Sequence, residues 1–243
     1  MSSATELAGK TAVVTGGSGG IGGAIVRALQ QAGAVVTSLD LSPPPDHDIP
    51  WLKCDVRSDD SVGSAVQQFA QQNGRLDLVI HAAGISREAV VWKLKVEDWD
   101  AVQSVNLRGA FLLLRHTIPL LRQAQGGRVV LIGSINGSRG KFGTSAYSAS
   151  KAGLLGLAKS VARETGHFGI PVNVIEPGWV RTPLTEALPA AIRQAAEAES
   201  VLGSLLDVSD VAAAVLFLCG PGARRITGQI LRVDAGQFLG GGA

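Results

Sequence analysis

Short β-rich runs alternate with longer segments of helical periodicity along almost the whole chain. Each intervening segment is long enough to carry the chain back to the start of a neighbouring strand. Such alternation is typical of a parallel sheet whose strands are connected by helices on both faces. We therefore predict an α/β fold with a doubly wound, seven-stranded parallel sheet. The predicted strands cover residues 11–15, 34–39, 51–54, 76–80, 128–132, 171–175 and 230–233.

Length and composition favour one globular domain. The chain has 243 residues, of which 46% are hydrophobic and 17% charged, with a net charge of +2. This balance gives no strong attraction to nucleic acid or to anionic membranes. Neither an internal repeat nor a linker interrupts the pattern. We predict a single domain over residues 1–243, with residues 240–243 as a flexible tail.

Cysteine usage and hydropathy exclude several other classes of protein. Cys54 and Cys219 have no metal-binding or redox spacing, so we predict neither a disulfide framework nor a metal site. The N-terminal residues lack the apolar region of a signal peptide, and no apolar run is long enough to span a bilayer. A cytoplasmic location is the default expectation.

A glycine-rich loop follows the first predicted strand and leads directly into a helical pattern. Gly17, Gly19 and Gly22 match the spacing G-x-G-x-x-G, while Gly16, Gly20 and Gly22 match G-x-x-x-G-x-G. Glycines allow the backbone to turn tightly and approach a pyrophosphate, whose charge the helix N-terminus stabilises. The loop in this context predicts dinucleotide binding.

Asp40 ends the second predicted strand, about 20 residues beyond the loop, where a carboxylate can accept hydrogen bonds from ribose hydroxyls. A 2′-phosphate at this position would be repelled. Ser18, Gly19, Leu41 and Ser42 supply no positive charge that could bind such a phosphate. The sequence therefore favours NAD over NADP, although a turn aspartate ahead of the prolines is the alternative.

Tyr147 and Lys151 stand four residues apart, so they share one face of a helical turn. A free tyrosine has a pKa of about 10, and a nearby cation favours the phenolate. We expect Lys151 to lower the pKa of Tyr147 and allow it to exchange a proton with a substrate oxygen. The pair alone is weak evidence, because a solvated helix face produces the same spacing by chance.

Two polar residues add chemistry to this pair. Ser134 follows the apolar strand 128–132 and should therefore lie at the carboxyl end of the sheet, where open α/β folds bind ligands. Asn106 falls inside a helical pattern, which is unfavourable for asparagine unless its amide has a task. A hydroxyl, a phenol and an ammonium together suit proton transfer to a carbonyl oxygen.

Taken together, these motifs resemble the short-chain dehydrogenase/reductase family, and the resemblance covers nearly the full chain. Their order and approximate spacing agree with that family. The motifs are Thr15-Gly16-x-x-x-Gly20-Ile21-Gly22, Asp55-Val56, Ala82-Ala83-Gly84, Asn106, Ser134, Tyr147-x-x-x-Lys151 and Pro177-Gly178.

The resemblance implies a single-domain Rossmann fold and a set of residue roles. Tyr147 would be the acid/base, Ser134 would polarise the carbonyl, Lys151 would bind ribose, and Asn106 would hold a proton-relay water. Among the cofactor residues, Asp55 and Val56 would border the adenine, Gly84 would pass the ribose, and Thr182 would meet the nicotinamide carboxamide. The implied NAD-binding set is Gly16, Ser18, Gly19, Gly20, Ile21, Gly22, Asp40, Leu41, Asp55, Val56, Ala82, Ala83, Gly84, Tyr147, Lys151, Pro177, Gly178, Val180 and Thr182.

One position departs from the family pattern. His81 stands where the family usually has asparagine before Ala82-Ala83-Gly84. That asparagine mostly braces the strand end, so the change leaves catalysis in place. We interpret His81 as a structural histidine.

Within the family, the chain is most similar to β-ketoacyl and acetoacetyl-CoA reductase-like members around residues 84–100 and 146–153. Members that use acyl carrier protein usually carry basic residues near Gln125 and Phe168, and neither residue is basic. Asp40 also departs from reductases that use NADPH. Both departures favour an NAD-linked dehydrogenase of hydroxyacyl-CoA or of small secondary or cyclic alcohols. A 3-oxoacyl-acyl-carrier-protein reductase is the alternative, and a non-catalytic dinucleotide-binding scaffold is a distant one.

The predicted substrate pocket is apolar, and residues 182–205 should form a lid that excludes water. Trp92 could join this pocket, although an aromatic residue at helical spacing is more often interpreted as a core residue. Surplus apolar residues at 107–121 and 153–161 suggest burial between subunits, which fits the family's usual homotetramer. The predicted substrate-binding residues are Ser134, Ile135, Asn136, Phe142, Tyr147, Trp179 and Leu184.

Overall fold

The computed structural model describes residues 6–124, 126–187 and 189–240, without the side chain of Leu184. Within this part of the chain, seven strands pair side by side in the order β3-β2-β1-β4-β5-β6-β7, and every pair is parallel. The predicted α/β fold is confirmed. The strands are β1 Thr11–Thr15, β2 Val35–Asp40, β3 Trp51–Lys53, β4 Leu78–His81, β5 Arg128–Ile132, β6 Val172–Pro177 and β7 Ile230–Val233.

Helices connect most of the strands and cover both faces of the sheet, while residues 41–50 between β2 and β3 are irregular. Ser104–Arg108 is a single π-helical turn between two of these helices. The helices are α1 Gly20–Gln31, α2 Asp59–Asn73, α3 Val96–Gln103, α4 Gly109–Gln123, α5 Ile135–Arg139, α6 Ser145–Thr165, α7 Pro183–Glu186, α8 Ala190–Ala198 and α9 Val208–Cys219.

Alternating strand residues feed two separate cores. Val13 of β1 points to the layer that contains Phe69 of α2 and Leu154 of α6. Its neighbour Val14 points to the opposite layer, which contains Ile25 of α1. Successive side chains of a strand point to opposite faces, so a strand buried on both sides reads as a continuous apolar run. This explains why the strands were recognisable although their apolar and polar residues do not alternate.

Local signals set the ends of α2. The Ser58 hydroxyl accepts a hydrogen bond from the Ser61 amide at 3.2 Å, and Asp59 and Asp60 occupy the first turn. Gly74 ends the helix in the left-handed conformation, with φ of 67°. Capping and the helix dipole thus determine both boundaries.

The order of the strands places a crevice at one edge. The chain leaves β1 toward β2 on one side and returns later to β4 on the other, so Thr15 pairs with His81 where the two directions diverge. Ligands of open α/β sheets bind at the carboxyl ends of strands around such a switch point. No helix in the described residues is long and apolar enough to cross a membrane.

Candidate active site

The glycine loop brings the start of α1 directly against the carboxyl edge of the sheet. A Cβ atom on Gly22 would lie 2.1 Å from the carbonyl oxygen of Gly16, and Gly16 itself has φ of 71°. No side chain caps α1, and its first turn contains no acidic residue. The helix N-terminus therefore offers backbone N–H groups and a partial positive charge, which suits an anionic ligand.

Asp40 ties this loop to the end of β2. Its carboxylate accepts hydrogen bonds from the amide of Leu41 at 2.7 Å and from the amide of Ser18 at 3.1 Å. The Ser18 hydroxyl donates in turn to the carbonyl of Ser42 at 2.7 Å. Because each carboxylate oxygen has two lone pairs, both oxygens of Asp40 can still accept from a ligand hydroxyl.

The segment after β6 faces the same loop from the other side. A Cβ atom on Gly20 would lie 3.1 Å from the methyl carbon of Thr182. Thr182 also caps α7, since its hydroxyl accepts from the Thr185 amide at 3.3 Å. Gly178 continues the sheet by donating to the Val233 carbonyl at 2.8 Å. The starts of α1 and α7 therefore stand together at the edge of the sheet.

Two predicted cofactor residues have structural partners of their own. Asp55 forms an ion pair with Arg57 at 2.7 Å, and this hydrogen bond holds the pKa of the Asp55 carboxyl below its usual range. The Val56 side chain is buried and packs against Gly109, where an added Cβ would lie only 3.0 Å from it. Val56 therefore belongs to the hydrophobic core.

Ser134 stands where β5 ends and α5 begins. It is 8% exposed, and its hydroxyl accepts from the Asn136 amide at 3.2 Å, which makes it the N-cap of α5. Its hydroxyl also acts on the Tyr147 phenol, whose pKa it lowers. The sequence thus brings Ser134 and the phenol of α6 together at the carboxyl edge, as predicted.

Lys151 lies one helical turn beyond Tyr147 and is almost fully buried. Its ammonium donates to the carbonyl of Ile132 at 2.7 Å and lies 5.7 Å from the centre of the Tyr147 ring. Burial lowers the pKa of Lys151 to about 8. A cation is thus held beside the phenol by a backbone acceptor at the end of β5.

The expectation that Lys151 lowers the pKa of Tyr147 is wrong for this structure. Burial raises the pKa of Tyr147, and the hydrogen bond from Ser134 only partly offsets that rise. The physical reason is that desolvation disfavours the phenolate, while the Lys151 ammonium is directed to the Ile132 carbonyl. Tyr147 is therefore a protonated phenol at neutral pH in this state.

Asn106 occupies the π-helical turn and is fully buried. Its side-chain oxygen accepts from the Ile85 amide at 2.8 Å, and its NH₂ group donates to the Ile85 carbonyl at 3.0 Å and to the Ser150 hydroxyl at 2.9 Å. The Ser150 hydroxyl donates to the Tyr147 carbonyl at 2.7 Å. Asn106 thus links the loop after β4 to the helix that carries Tyr147.

His81 has a structural role, in agreement with the interpretation from sequence. Its Nδ1 lies 2.9 Å from the Thr15 hydroxyl, and its Nε2 lies 3.3 Å from the main-chain oxygen of Asn106. A carbonyl can only accept, so the proton is assigned to Nε2 and the Thr15 hydroxyl donates to Nδ1. Burial, helped by the charge of Lys151, lowers the pKa of His81 to about 3. The imidazole is neutral and joins β1, β4 and the π-helical turn.

The predicted substrate wall is divided between two cavities. Phe142, which is 85% exposed, lines a cavity of about 260 Å³ together with Trp92. Trp179 lines a second cavity of about 370 Å³. Lys141 connects the two, because it lines the first cavity and its ammonium lies 4.8 Å from the Trp179 ring centre. Neither cavity is lined by Ser134 or Tyr147.

Three further positions complete the comparison with the predicted wall. Ile135 is 3% exposed, and the Asn136 side chain accepts from Arg139 at 3.3 Å. The side chain of Leu184 lies outside the described residues. The interpretation of Trp92 as a core residue is wrong, because 76% of it is exposed. Trp92 lies in the loop after β4, on the rim of the first cavity.

Comparisons with known proteins agree with this geometry. A family model described as Enoyl-(Acyl carrier protein) reductase matches residues 16–237. The chain belongs to the short-chain dehydrogenase/reductase family. It is 34% identical to the 3-oxoacyl-[acyl-carrier-protein] reductase FabG of Thermotoga maritima, over 96% of this chain and 100% of that protein. It is 32% identical to the acetoacetyl-CoA reductase of an Acinetobacter species, over 95% and 98% of the two chains. The crystal structure of gox2181 matches with a TM-score of 0.93 and 31% identity, over 98% of this chain and all of that one.

Short-chain dehydrogenase/reductases are oxidoreductases that bind a nicotinamide dinucleotide, and the residues of this chain fit one. The uncapped start of α1 can receive the pyrophosphate, and the Asp40 carboxylate can receive ribose hydroxyls. A Cβ on Gly84 would lie 3.4 Å from the Lys151 ammonium and 3.5 Å from the Asn106 side-chain oxygen. The backbone of Gly84 therefore leaves room beside both polar groups.

Several residues of the site were not predicted from sequence. Thr15, Ile85 and Ser150 hold His81 and Asn106 in place, but each has an ordinary local context. Of these three residues, only Thr15 could have been predicted, because it ends β1 immediately before the glycine loop. The other two are recognisable only after the loop and the helix have been brought together.

The close contact at Gly22 predicts the result of a single substitution. In Gly22→Ala the added methyl group must displace the Gly16 carbonyl, which distorts the loop at a cost of roughly 1–3 kcal/mol. We expect NADH affinity, measured by fluorescence titration, to fall by about 10- to 100-fold. Gly166→Ala is the control, since an added Cβ there meets no atom within 4 Å. Unchanged NADH affinity in a folded Gly22→Ala protein would contradict the role of the loop.

Tyr147 is the only tyrosine of the chain, so its ionisation can be followed directly by ultraviolet absorbance. We expect its phenolate to form only above the ordinary tyrosine pKa, because burial raises the pKa of Tyr147. Ser134→Ala should raise this pKa further, since the lost hydrogen bond stabilises the phenolate. Ser64→Ala, on the exposed face of α2, should leave the titration unchanged. A Tyr147 pKa below the ordinary value in the folded protein would refute the effect of burial.

Proposed function

We propose that the protein is an NAD(H)-dependent oxidoreductase that interconverts a secondary alcohol and a ketone. The observation that carries this proposal is the grouping of Ser134, which lowers the pKa of the Tyr147 phenol, with Tyr147 itself and the buried ammonium of Lys151 one helical turn away. All three groups stand at the carboxyl edge of the sheet, on the same side as the glycine loop. The arrangement is suited to moving one proton at a substrate oxygen.

The chemistry divides between cofactor and protein. When bound, a nicotinamide supplies or accepts the hydride. The protein must then hold the carbonyl and transfer one proton to its oxygen. The Tyr147 hydroxyl, protonated at neutral pH, is the proton donor in the direction of reduction, and the Ser134 hydroxyl donates a second hydrogen bond. Lys151, whose ammonium lies 5.7 Å from the centre of the Tyr147 ring, is proposed to bind the ribose of the cofactor beside the phenol.

The preference for NAD rests on charge at the end of β2. Asp40 places a carboxylate beside Ser18 at the entrance to the glycine loop. Ribose hydroxyls can donate to this carboxylate, whereas a 2′-phosphate would meet the same sign of charge. Leu41 and Ser42 add no cation beside it.

For the substrate, we propose a hydroxyacyl-CoA or a small secondary or cyclic alcohol. Exposed apolar groups on the cavity rims, among them Phe142 and Trp92, support a substrate with an apolar portion. The segment 182–205, which contains α7 and α8, is the proposed lid over this region. Phe111 of α4 is 47% exposed, which supports burial of that helix between subunits of a homotetramer.

A carrier-protein substrate is the second candidate, and one contact favours it. The Arg122 guanidinium lies 4.1 Å from the ring centre of Phe168. Arg122 therefore places a positive charge beside Phe168, although Gln125 and Phe168 themselves are not basic. Acyl carrier protein would present acidic groups to such a cation. Acetoacetyl-CoA, acetoacetyl-acyl carrier protein and a cyclic ketone should be compared as substrates by NADH absorbance. Strong selection for the carrier protein, lost in Arg122→Glu, would favour this second function.

Replacing Tyr147 by phenylalanine tests the proton-transfer role. Tyr147→Phe removes one hydroxyl and keeps the ring, so the protein loses its proton donor without losing the packing around it. We expect turnover to fall by about 10²- to 10⁴-fold. NADH affinity, measured by fluorescence titration of the same protein, should remain. Near-normal turnover by a folded Tyr147→Phe protein would exclude the mechanism.

Replacing Asp40 tests the choice of cofactor. The wild-type protein should bind NADH more tightly than NADPH. In Asp40→Ser we expect the ratio of the two dissociation constants to shift toward NADPH by roughly tenfold or more, because charge-assisted hydrogen bonds are lost and a repulsion is removed. Asp46→Ser is the matched control, since Asp46 only accepts from the Asp48 amide on the exposed loop. Equal wild-type affinities for the two dinucleotides would remove the proposed preference.

A further inference from the structure

The chain returns to the active site after its last strand. Beyond β7, Asp234 closes a tight turn by accepting from the amides of Gly236 at 3.0 Å and Phe238 at 2.8 Å. Ala235 within this turn has φ of 51°, a left-handed conformation that is unusual for a residue with a side chain. Residues 234–239, which we name the C-terminal turn, are therefore held in a defined and locally strained shape.

Gln237 projects from this turn into the protein and is 2% exposed. Its side-chain oxygen accepts from the main-chain amide of Trp179 at 2.6 Å. Its NH₂ group donates to the carbonyl of Ala196, in α8, at 2.8 Å. One buried amide thus joins the segment after β6 to the far end of the proposed lid.

The fit around the Gln237 side chain is close. A Cβ atom on Gly178 would lie 2.4 Å from the Gln237 side-chain oxygen. Glycine at this position therefore leaves the space that the glutamine amide needs in order to reach Trp179. Nearby, the Ala235 carbonyl accepts from the Ser200 hydroxyl at 2.9 Å and from the Leu202 amide at 3.1 Å. The C-terminal turn is thus bonded to both ends of the segment that lines the second cavity.

The main chain of the turn also reaches the helix that Ser134 caps. Arg139, the last residue of α5, donates to the Gln237 carbonyl at 2.9 Å. The same guanidinium forms an ion pair with Glu199, just past α8, at 2.9 Å. The Gln237 side chain and main chain therefore connect Trp179 and α8 to the segment that begins at Ser134.

We infer that Gln237 is a positioning residue, which sets the place of Trp179 and α8 relative to Ser134 and Tyr147. It touches neither the reacting groups nor the glycine loop among its hydrogen-bond partners in the described structure. Its effect should therefore fall on substrate affinity rather than on the proton-transfer step or NADH binding. This role rests on the proposed function, because Trp179 acts on affinity only if it borders the substrate.

Two substitutions separate the hydrogen bonds of Gln237. Gln237→Met keeps an unbranched side chain of similar length but loses both bonds. Gln237→Glu keeps an acceptor for the Trp179 amide and loses the donor to Ala196. Gln229→Met makes the same chemical change at an exposed glutamine beside β7 and is the matched control. For each protein, KM and kcat for the carbonyl substrate, the NADH dissociation constant and hydrogen exchange of the Trp179 amide should be measured.

For Gln237→Met, we expect KM for the carbonyl substrate to rise by roughly 3- to 30-fold, the factor for one or two lost hydrogen bonds. Trp179 amide exchange should accelerate, while kcat and NADH affinity stay near wild type. Gln237→Glu should raise KM at least as much, because the buried carboxylate keeps the bond from Trp179 but faces the Ala196 carbonyl oxygen with no hydrogen to donate.

An unchanged KM of Gln237→Met together with faster exchange of the Trp179 amide would overturn the positioning role. An equal rise in the KM of Gln229→Met would overturn it as well. Absence of turnover by the wild-type protein on every carbonyl substrate would instead count against the proposed function.

Discussion

The active site depends on the buried amide of Asn106. Three hydrogen bonds of its side chain hold the backbone of Ile85, which follows β4, and the hydroxyl of Ser150, which lies on the helix of Tyr147. A buried amide left without partners would cost about 1–3 kcal/mol for each lost group. This cost makes the spacing between the loop and the helix definite. The phenol therefore stands at the carboxyl edge of the sheet instead of at a range of distances from it.

The same edge carries two buried basic groups, His81 and Lys151. Burial lowers the pKa of both, but the two groups differ in charge. His81 is neutral, because both ring nitrogens have fixed partners and solvation of a second proton is lost. Lys151 has a lowered pKa but retains a strong backbone acceptor in the Ile132 carbonyl. A neutral histidine beside the lysine adds no repulsion of its own. One cation thus faces the phenol, and the raised pKa of Tyr147 keeps its proton available for transfer.

Much of the fold was predictable, because it follows from short-range patterns. All seven strands were recognised from apolar runs. The order of Ser134, Tyr147 and Lys151 also predicted that these residues lie together at the carboxyl edge, since strand end and helix register fix where such side chains point. Trp92 was misplaced because a lone aromatic carries no signal for which side of a loop it occupies. Gln237 was missed for a similar reason, since 58 residues separate it from Trp179.

The amino-acid sequence by itself determined the alternation of strands and helices, the glycine loop, Asp40 and the polar residues of the site. Periodicity, turn chemistry and helix register act over a few residues, so they can be read along the chain. Only the tertiary structure decided the pKa of Tyr147, the tautomer of His81 and the partners of Gln237. These properties depend on desolvation and on hydrogen bonds between distant segments, which exist only when the chain is packed.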